Sequence, residues 1–397
     1  MDWRKKCLLV CQSALLLFSS CTQEALIDET VNVVEIPDHR ISMAEAKQNA
    51  VDFLNTLSGQ TRSSGCEVSD VVPFCLDTQF PVTRSSNDYL SDTLLYFVNL
   101  SGDNGYVIVG ADDRLDKVVA YIDHGHYDGS EVCNNGFNGF IFRYLEPHLR
   151  EPDPGDDGGG GGGSTTPSSV GPLLEVTWGQ EEPYNWRCNQ KKTGCVPTAI
   201  SQICSFFEYP SYISWTENGT LNSANLNWNT LKAAPQIPSY YATAATDQVS
   251  KLMRFWGIML DVDYGDDGTG VDMDDVIPGL RDWGFTATNW ADFNDTNVYL
   301  SLSNGDNLIM TSAYSRYYHV GFVFRKYVDG HCWVIDGYRR VGSNKYFHCN
   351  WGLDGNQNGY YLSTGFDSDE CYEHDANTDQ DKDFSLKYKV KYSVVSR

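Results

Sequence analysis

Two residues of this sequence are suited by type and setting to covalent chemistry, Cys195 and His331. Cys195 opens the run Gly194-Cys195-Val196-Pro197-Thr198-Ala199-Ile200-Ser201-Gln202-Ile203, whose apolar positions Val196, Ala199, Ile200, Ile203, Phe206 and Phe207 recur with helical period. The helix is expected to run to Tyr209 and to stop at Pro210, and Pro197 is tolerable only in its first turn. Cys195 therefore stands at a helix N-terminus, where free amide N–H groups and the helix dipole favour a thiolate, the form of cysteine that attacks carbon. Such a nucleophile needs an imidazole as proton acceptor and a third group to orient it. Of eight histidines, His331 opens the apolar run Gly330-His331-Cys332-Trp333-Val334-Ile335-Asp336-Gly337-Tyr338.

The elements that would position His331 are two strands, Cys332 to Tyr338 and Tyr346 to Trp351, joined by a loop from Gly337 to Asn344. One antiparallel register sets His331 opposite Asn350, Trp333 opposite His348 and Ile335 opposite Tyr346. Facing Cβ atoms then lie within about 5 Å, close enough for the Asn350 carboxamide to hold the imidazole. Trp351 is a candidate shield against water. The same register brings Cys332 opposite Cys349, which admits a cross-strand disulfide; two free buried thiols are the alternative.

Around these elements the chain divides by composition. Residues 151–170 are acidic and proline-containing, then an unbroken Gly158 to Gly163, then rich in Ser and Thr, and read as a flexible linker open to proteolysis. Before it, residues 22–150 read as a small α+β domain: Ser42 caps a helix through Leu57 with Ala46, Ala50, Phe53 and Leu54 on one face, and strands follow at Leu94 to Leu100, Tyr106 to Gly110 and Val118 to Ile122. Residues 1–21 have the order of a signal peptide, with Arg4, Lys5 and Lys6 before an apolar stretch from Leu8 to Phe18. Phe18-Ser19-Ser20-Cys21 resembles a lipobox, so a lipid on Cys21 is the one expected link to a membrane. Nine cysteines follow the leader, an odd number that points to at least one free thiol in an exported chain.

The chain carries 29 Lys+Arg against 53 Asp+Glu, a net charge of −24 that excludes a nucleic-acid partner. From Gly171 onward, 18 basic residues face 28 acidic ones, for −10; the part before it carries 11 against 25, for −14.

Four stretches, in order, resemble the streptopain-type cysteine peptidases of the papain superfamily. They are Trp178-Gly179-Gln180 with Glu182-Pro183-Tyr184-Asn185; Thr193-Gly194-Cys195 with Thr198-Ala199 and Gln202-Ile203; Gly330-His331 with Val334-Ile335-Asp336-Gly337; and Tyr346, His348 and Asn350-Trp351-Gly352. Upstream, Gly105-Tyr106-Val107-Ile108-Val109 and Asp112-Asp113-Arg114 resemble the inhibitory propeptide of that family. The resemblance implies a papain-like α+β catalytic domain over 171–397, with a helical lobe carrying Cys195 and an antiparallel β lobe carrying His331. It implies Cys195 as nucleophile, His331 as general base and acid, Asn350 as orienting group, Gln180 as oxyanion donor with the Cys195 N–H, and Trp351 as cover. It implies further a peptidase acting on protein substrates, made as a zymogen whose propeptide is an intramolecular inhibitor, with no metal or organic cofactor. The sequence departs from the family pattern at Pro197, at Cys332 where alanine is usual, and in a longer His331 to Asn350 interval. The competing expectations are an inactive surface-binding protein that kept the fold, or another acyl transfer such as amidase chemistry.

Other candidates weigh less. Eight carboxylates between Asp367 and Asp383 lack the spacing of a calcium loop and read as solvated chain. Asp263, Asp266 and Asp267 read as a turn, and His319 and His348 as reserve catalytic candidates.

Overall fold

The computed structural model describes residues 39–58, 67–75, 93–129, 135–149, 169–189, 191–240, 242–265, 269–320, 324–366, 386 and 388–397. The leader with Cys21, the glycine run and the acidic stretch 367–383 lie outside the described residues. Residues from His39 to Arg397 form one compact unit.

The N-terminal part begins with helix α1 (Met43–Ser58). Ser42 starts it with a reciprocal cap: the Glu45 N–H donates to Ser42 Oγ and the Ser42 N–H to the Glu45 carboxylate, each at 3.2 Å. Ala46, Ala50, Phe53 and Leu57, spaced by three and four residues, are buried against a sheet of β1 (Val68–Cys75), β2 (Thr93–Leu100), β3 (Tyr106–Gly110) and β4 (Ala120–Ile122). Helix α2 (Asn135–Leu145) follows.

After the linker, β5 (Ser169–Val170) pairs with Arg339 and Tyr338, so the last two residues assigned to the linker by composition are held in a sheet. The helical lobe contains α3 (Cys195–Phe207), the β6–β7 hairpin (Tyr212–Glu217, Thr220–Asn225), α4 (Trp228–Leu231), α5 (Ala244–Met259), a short β8–β9 pair (Asp263–Tyr264, Thr269–Gly270) and α6 (Met273–Asp282). Then come β10 (Thr286–Ala287), β11 (Ala291–Asp292), α7 (Asp295–Leu302), β12 (Leu308–Val320), β13 (Phe324–Val341), β14 (Asn344–Asn350), β15 (Gly359–Leu362) and β16 (Tyr388–Ser396). The whole is α+β, with a helical lobe and an antiparallel β lobe.

The two parts share one sheet, in the order β1-β2-β3-β4-β15-β14-β13-β12-β16-β10. The junction is the antiparallel pairing of β4 with β15, Gly359 opposite Ile122 and Tyr361 opposite Ala120. Alternation along β13 splits its side chains between two cores. Trp333 and Ile335 pack on the side of Trp351 and the N-terminal part. Cys332 and Val334 pack on the side of the helical lobe with Val196, Ala199 and Ile200.

The β13–β14 hairpin departs from the expected register. Its turn is the two residues Gly342-Ser343, with Gly342 at φ +62° and Val341 opposite Asn344, tighter than the loop from Gly337 to Asn344. A bulge at Asp336 then shifts the pairing once more. Asn350 therefore faces Val334, Gly337 faces His348 and Arg339 faces Tyr346, while His331 pairs on its other side with Ala313. Cys349 faces Ile335, and Cys332 and Cys349 lie in different cores as free buried thiols, so the cross-strand disulfide is excluded by the sheet's own alternation.

Candidate active site

Cys195 is the first residue of α3, preceded by Gly194 at φ +93°. Pro197 occupies the first turn, where its missing N–H costs no intrahelical bond. Val196, Ala199, Ile200 and Ile203 of the apolar face of α3 are buried in the helical-lobe core, with Phe206 and Phe207 partly buried against it, which fixes the helix against β13. Burial raises the Cys195 thiol above its ordinary pKa; the backbone amides of Cys332, Cys195 and Val196 favour the thiolate and only partly offset this.

The oxyanion candidate Gln180 sits on a segment strapped along α3. The Thr193 N–H donates to the Gln180 carbonyl at 3.0 Å, and Gln202 Nε2 donates to the Trp178 carbonyl at 2.9 Å. Gln180 thus lies beside the helix N-terminus, half-buried.

His331 is buried at 8% exposure, with its ring nearly parallel to that of Trp333 at 6.1 Å. Its Nε2 lies 3.0 Å from the Trp351 carbonyl oxygen. A carbonyl only accepts, so Nε2 carries the proton and Nδ1 keeps a lone pair. Burial lowers the His331 pKa to about 4, and the Trp351 carbonyl is the one group that favours its charged form. Among the described residues no hydrogen bond joins Cys195 to His331, and burial favours the uncharged form of each.

Asn350 makes no hydrogen bond to the imidazole. Its Oδ1 accepts from Gln202 Nε2 at 3.0 Å and from the Gly352 N–H at 3.2 Å, and its Nδ2 donates to the Val176 carbonyl at 2.9 Å. The orienting acceptor is instead the backbone carbonyl of the next residue, whose turn Asn350 pins from both sides. The shifted register is the reason: facing Val334, Asn350 is displaced along the strand from His331. A backbone carbonyl has no signature in a residue pattern, and Gln202 was legible only as part of the matched stretch Gln202-Ile203, with no role attached.

Trp351 is completely buried and packs 5.0 Å from Trp333 and 6.2 Å from His331, with its indole N–H donating to the Gln357 carbonyl and Tyr361 Oη. Its outer face meets α2: a Cβ on Gly136 would come within 2.1 Å of the indole ring. Phe140 of the same helix stacks edge-on against Tyr361 at 4.8 Å.

The reserve candidate His348 serves elsewhere. Its Nδ1 is 2.5 Å from Asp336 Oδ1 and its Nε2 is 2.8 Å from Asp123 Oδ2, so both nitrogens donate and neither is free to act as a base. His319 lies in strand β12, and its side chain is outside the described residues.

A thiol at a helix N-terminus and an imidazole held by its Nε2 on the facing strand are parts that a thiol hydrolase requires. The Peptidase C10 family model matches residues 178–361, which span all five candidate residues, and the Spi protease inhibitor model matches residues 38–146. Over residues 178–361 the chain is similar to the peptidase C10 family. The chain is 26% identical over 321 residues to the thiol protease/hemagglutinin PrtT of Porphyromonas gingivalis, covering 68% of this chain and 34% of that one. It is 25% identical over 315 residues to streptopain of Streptococcus pyogenes, covering 68% and 74%. The chain therefore spans about a third of the length of the first relative and about three quarters of the second. It shares its fold with a solved fragment of Prevotella intermedia prointerpain A at TM-score 0.51 and 22% identity, covering 78% of this chain and 96% of that one. Residues 38–146 thus match an inhibitor-type prodomain, whose described strands are built into the sheet of the peptidase part.

Proposed function

We propose that this chain is the exported zymogen of a cysteine endopeptidase, with a leader over residues 1–21, a lipid on Cys21 and activation by cleavage within 151–170. The observation that carries the catalytic reading is the His331 Nε2–Trp351 carbonyl bond, which leaves Nδ1 as the ring's one proton acceptor. In the reaction Cys195 Sγ gives its proton to His331 Nδ1 and attacks the peptide carbonyl carbon. The Gln180 side-chain amide and the Cys195 N–H donate to the developing oxyanion, each worth about 3–4 kcal/mol in such sites. The imidazolium protonates the departing amine, and water then hydrolyses the thioester. Asn350 serves the pair through the turn it pins, and Trp351 walls it from solvent. The basis for latency is the contact of the prodomain with the wall of the site, where Gly136 of α2 packs on the Trp351 indole.

The test is hydrolysis of casein by processed protein, with the alkylated residue mapped after treatment with iodoacetamide. Selective labelling of Cys195 with loss of hydrolysis is expected, and Cys195→Ala should lower turnover by about 10⁴-fold or more. Turnover that survives Cys195→Ala overturns the reading.

A further inference from the structure

Gln202 lies seven residues after Cys195, two turns along α3 and on the same face. Its side chain is fully buried. The two protons of its Nε2 go to two acceptors on two different segments, the Trp178 carbonyl at 2.9 Å and Asn350 Oδ1 at 3.0 Å. Both partners accept only, so the orientation of the amide is fixed by chemistry. Trp178 leads into Gln180. Asn350 leads into Trp351, whose carbonyl holds His331, and the same Asn350 Oδ1 takes the Gly352 N–H, closing the turn around that carbonyl.

We propose that Gln202 is a positioning residue that fixes the Gln180 segment and the histidine-holding turn against the helix of Cys195. It touches no reacting atom. It sets the distances between the three segments that carry them, because one rigid amide bonds to two of the segments and is rooted in the third. Thr198, one turn nearer to Cys195, bonds to the Gly179 carbonyl but makes no bond to the Asn350 turn. Among the described residues Gln202 is the side chain of α3 that joins both.

This inference rests on the peptidase reading, so the test has one arm that needs no turnover. Gln202→Met keeps the volume and removes both donors. After processing, it should lower kcat by about 10- to 100-fold, the scale of a misplacement near 1 Å, with KM within about threefold of wild type. In the full, unprocessed chain with isotope-labelled histidine, wild-type His331 should show the tautomer protonated at Nε2, and Gln202→Met a mixture of tautomers. Gln202→Glu supplies the second variant: a protonated carboxyl donates one bond, so its activity relative to wild type should climb as pH falls. Unchanged kcat and an unchanged tautomer in Gln202→Met overturn the proposal. Should Gln202→Met not fold, a Gln202→Glu to wild-type ratio that is flat with pH overturns it instead. A wild-type protein that hydrolyses nothing, yet shows the tautomer change on substitution, would sink the peptidase reading and leave the positioning role standing.

Discussion

His331 and His348 sit on the two strands of one hairpin, both buried, yet the protein holds them in opposite charge states. Burial disfavours the imidazolium at both positions. At His331 one backbone carbonyl opposes this, and the pKa falls to about 4. At His348 burial is outweighed by Asp336 and Asp123, and the pKa stands well above its ordinary value. Tyr360 packs edge-on at 5.0 Å, and the Arg339 guanidinium lies over the Tyr360 ring at 4.8 Å. The difference shows that what a buried histidine does here follows from whether its acceptors are charged. A neutral acceptor keeps a base available for proton transfer. Two charged acceptors consume both nitrogens and make a structural tie, and one of those carboxylates, Asp123, belongs to the prodomain.

The comparison breaks most severely if His348 loses its inner carboxylate. Asp336 is fully buried, and its other oxygen accepts the Leu174 N–H at 2.8 Å, which anchors the start of the peptidase part. Asp336→Asn should destabilise the full chain by about 3–5 kcal/mol, the cost of leaving a buried charge with half its partners. Urea unfolding measures this, and a loss below about 1 kcal/mol would mean that His348 is neutral.

Asp123→Asn sharpens the same comparison with a smaller effect, about 2 kcal/mol, because Asp123 is partly exposed and Asp336 remains. The sign with pH follows from the raised pKa. The tie contributes fully below the unfolded histidine value of about 6.5 and is lost as pH rises through the higher folded value. The stability gap between wild type and Asp123→Asn should therefore be widest near about pH 6 and narrow as pH rises through the raised folded value. Thermal unfolding across that range checks it, and a gap that widens with pH would show the imidazole to be uncharged.

Much of the site was legible because its signals are local. Gly194, Pro197 and the apolar period from Val196 to Phe207 placed Cys195 at a helix start, and Ser42 with Glu45 marked the first helix. The ends of β2 and β3 were legible from Gly and Asp turns. The register of β13 on β14 was not, because a two-residue turn and a bulge at Asp336 decide it, and a bulge leaves no compositional mark. The acceptor for His331 was hidden because it is a main-chain oxygen, and Asn350, a residue of the right type at the right strand end, was credited with its work. The β4–β15 junction and the Asp123–His348 bond join residues more than two hundred positions apart, beyond the reach of any local pattern. Composition divides the chain at the glycine run, while the backbone ladder runs straight across that division.

The smallest expected effect tests whether the prodomain is what keeps His331 dry. Gly136 lies in the first turn of α2, and glycine to alanine within a helix ordinarily stabilises by up to about 1 kcal/mol. Here the added methyl would meet the Trp351 indole, which cannot retreat: Trp333 backs it at 5.0 Å and its N–H is bonded to Tyr361 and Gln357. The sign should reverse, so Gly136→Ala is expected to cost the full chain about 1 kcal/mol, at the lower end for overpacking. Because the strain falls between α2 and Trp351, the His331 pKa should climb from about 4 toward its ordinary value as solvent reaches the ring, while His348, held by carboxylates on the far side of the hairpin, should not move. Histidine titration by nuclear magnetic resonance reads both rings in one experiment. If His331 stays depressed while stability falls, then Trp333 and the Trp351 turn alone bury it, and the two histidines differ for reasons internal to the peptidase.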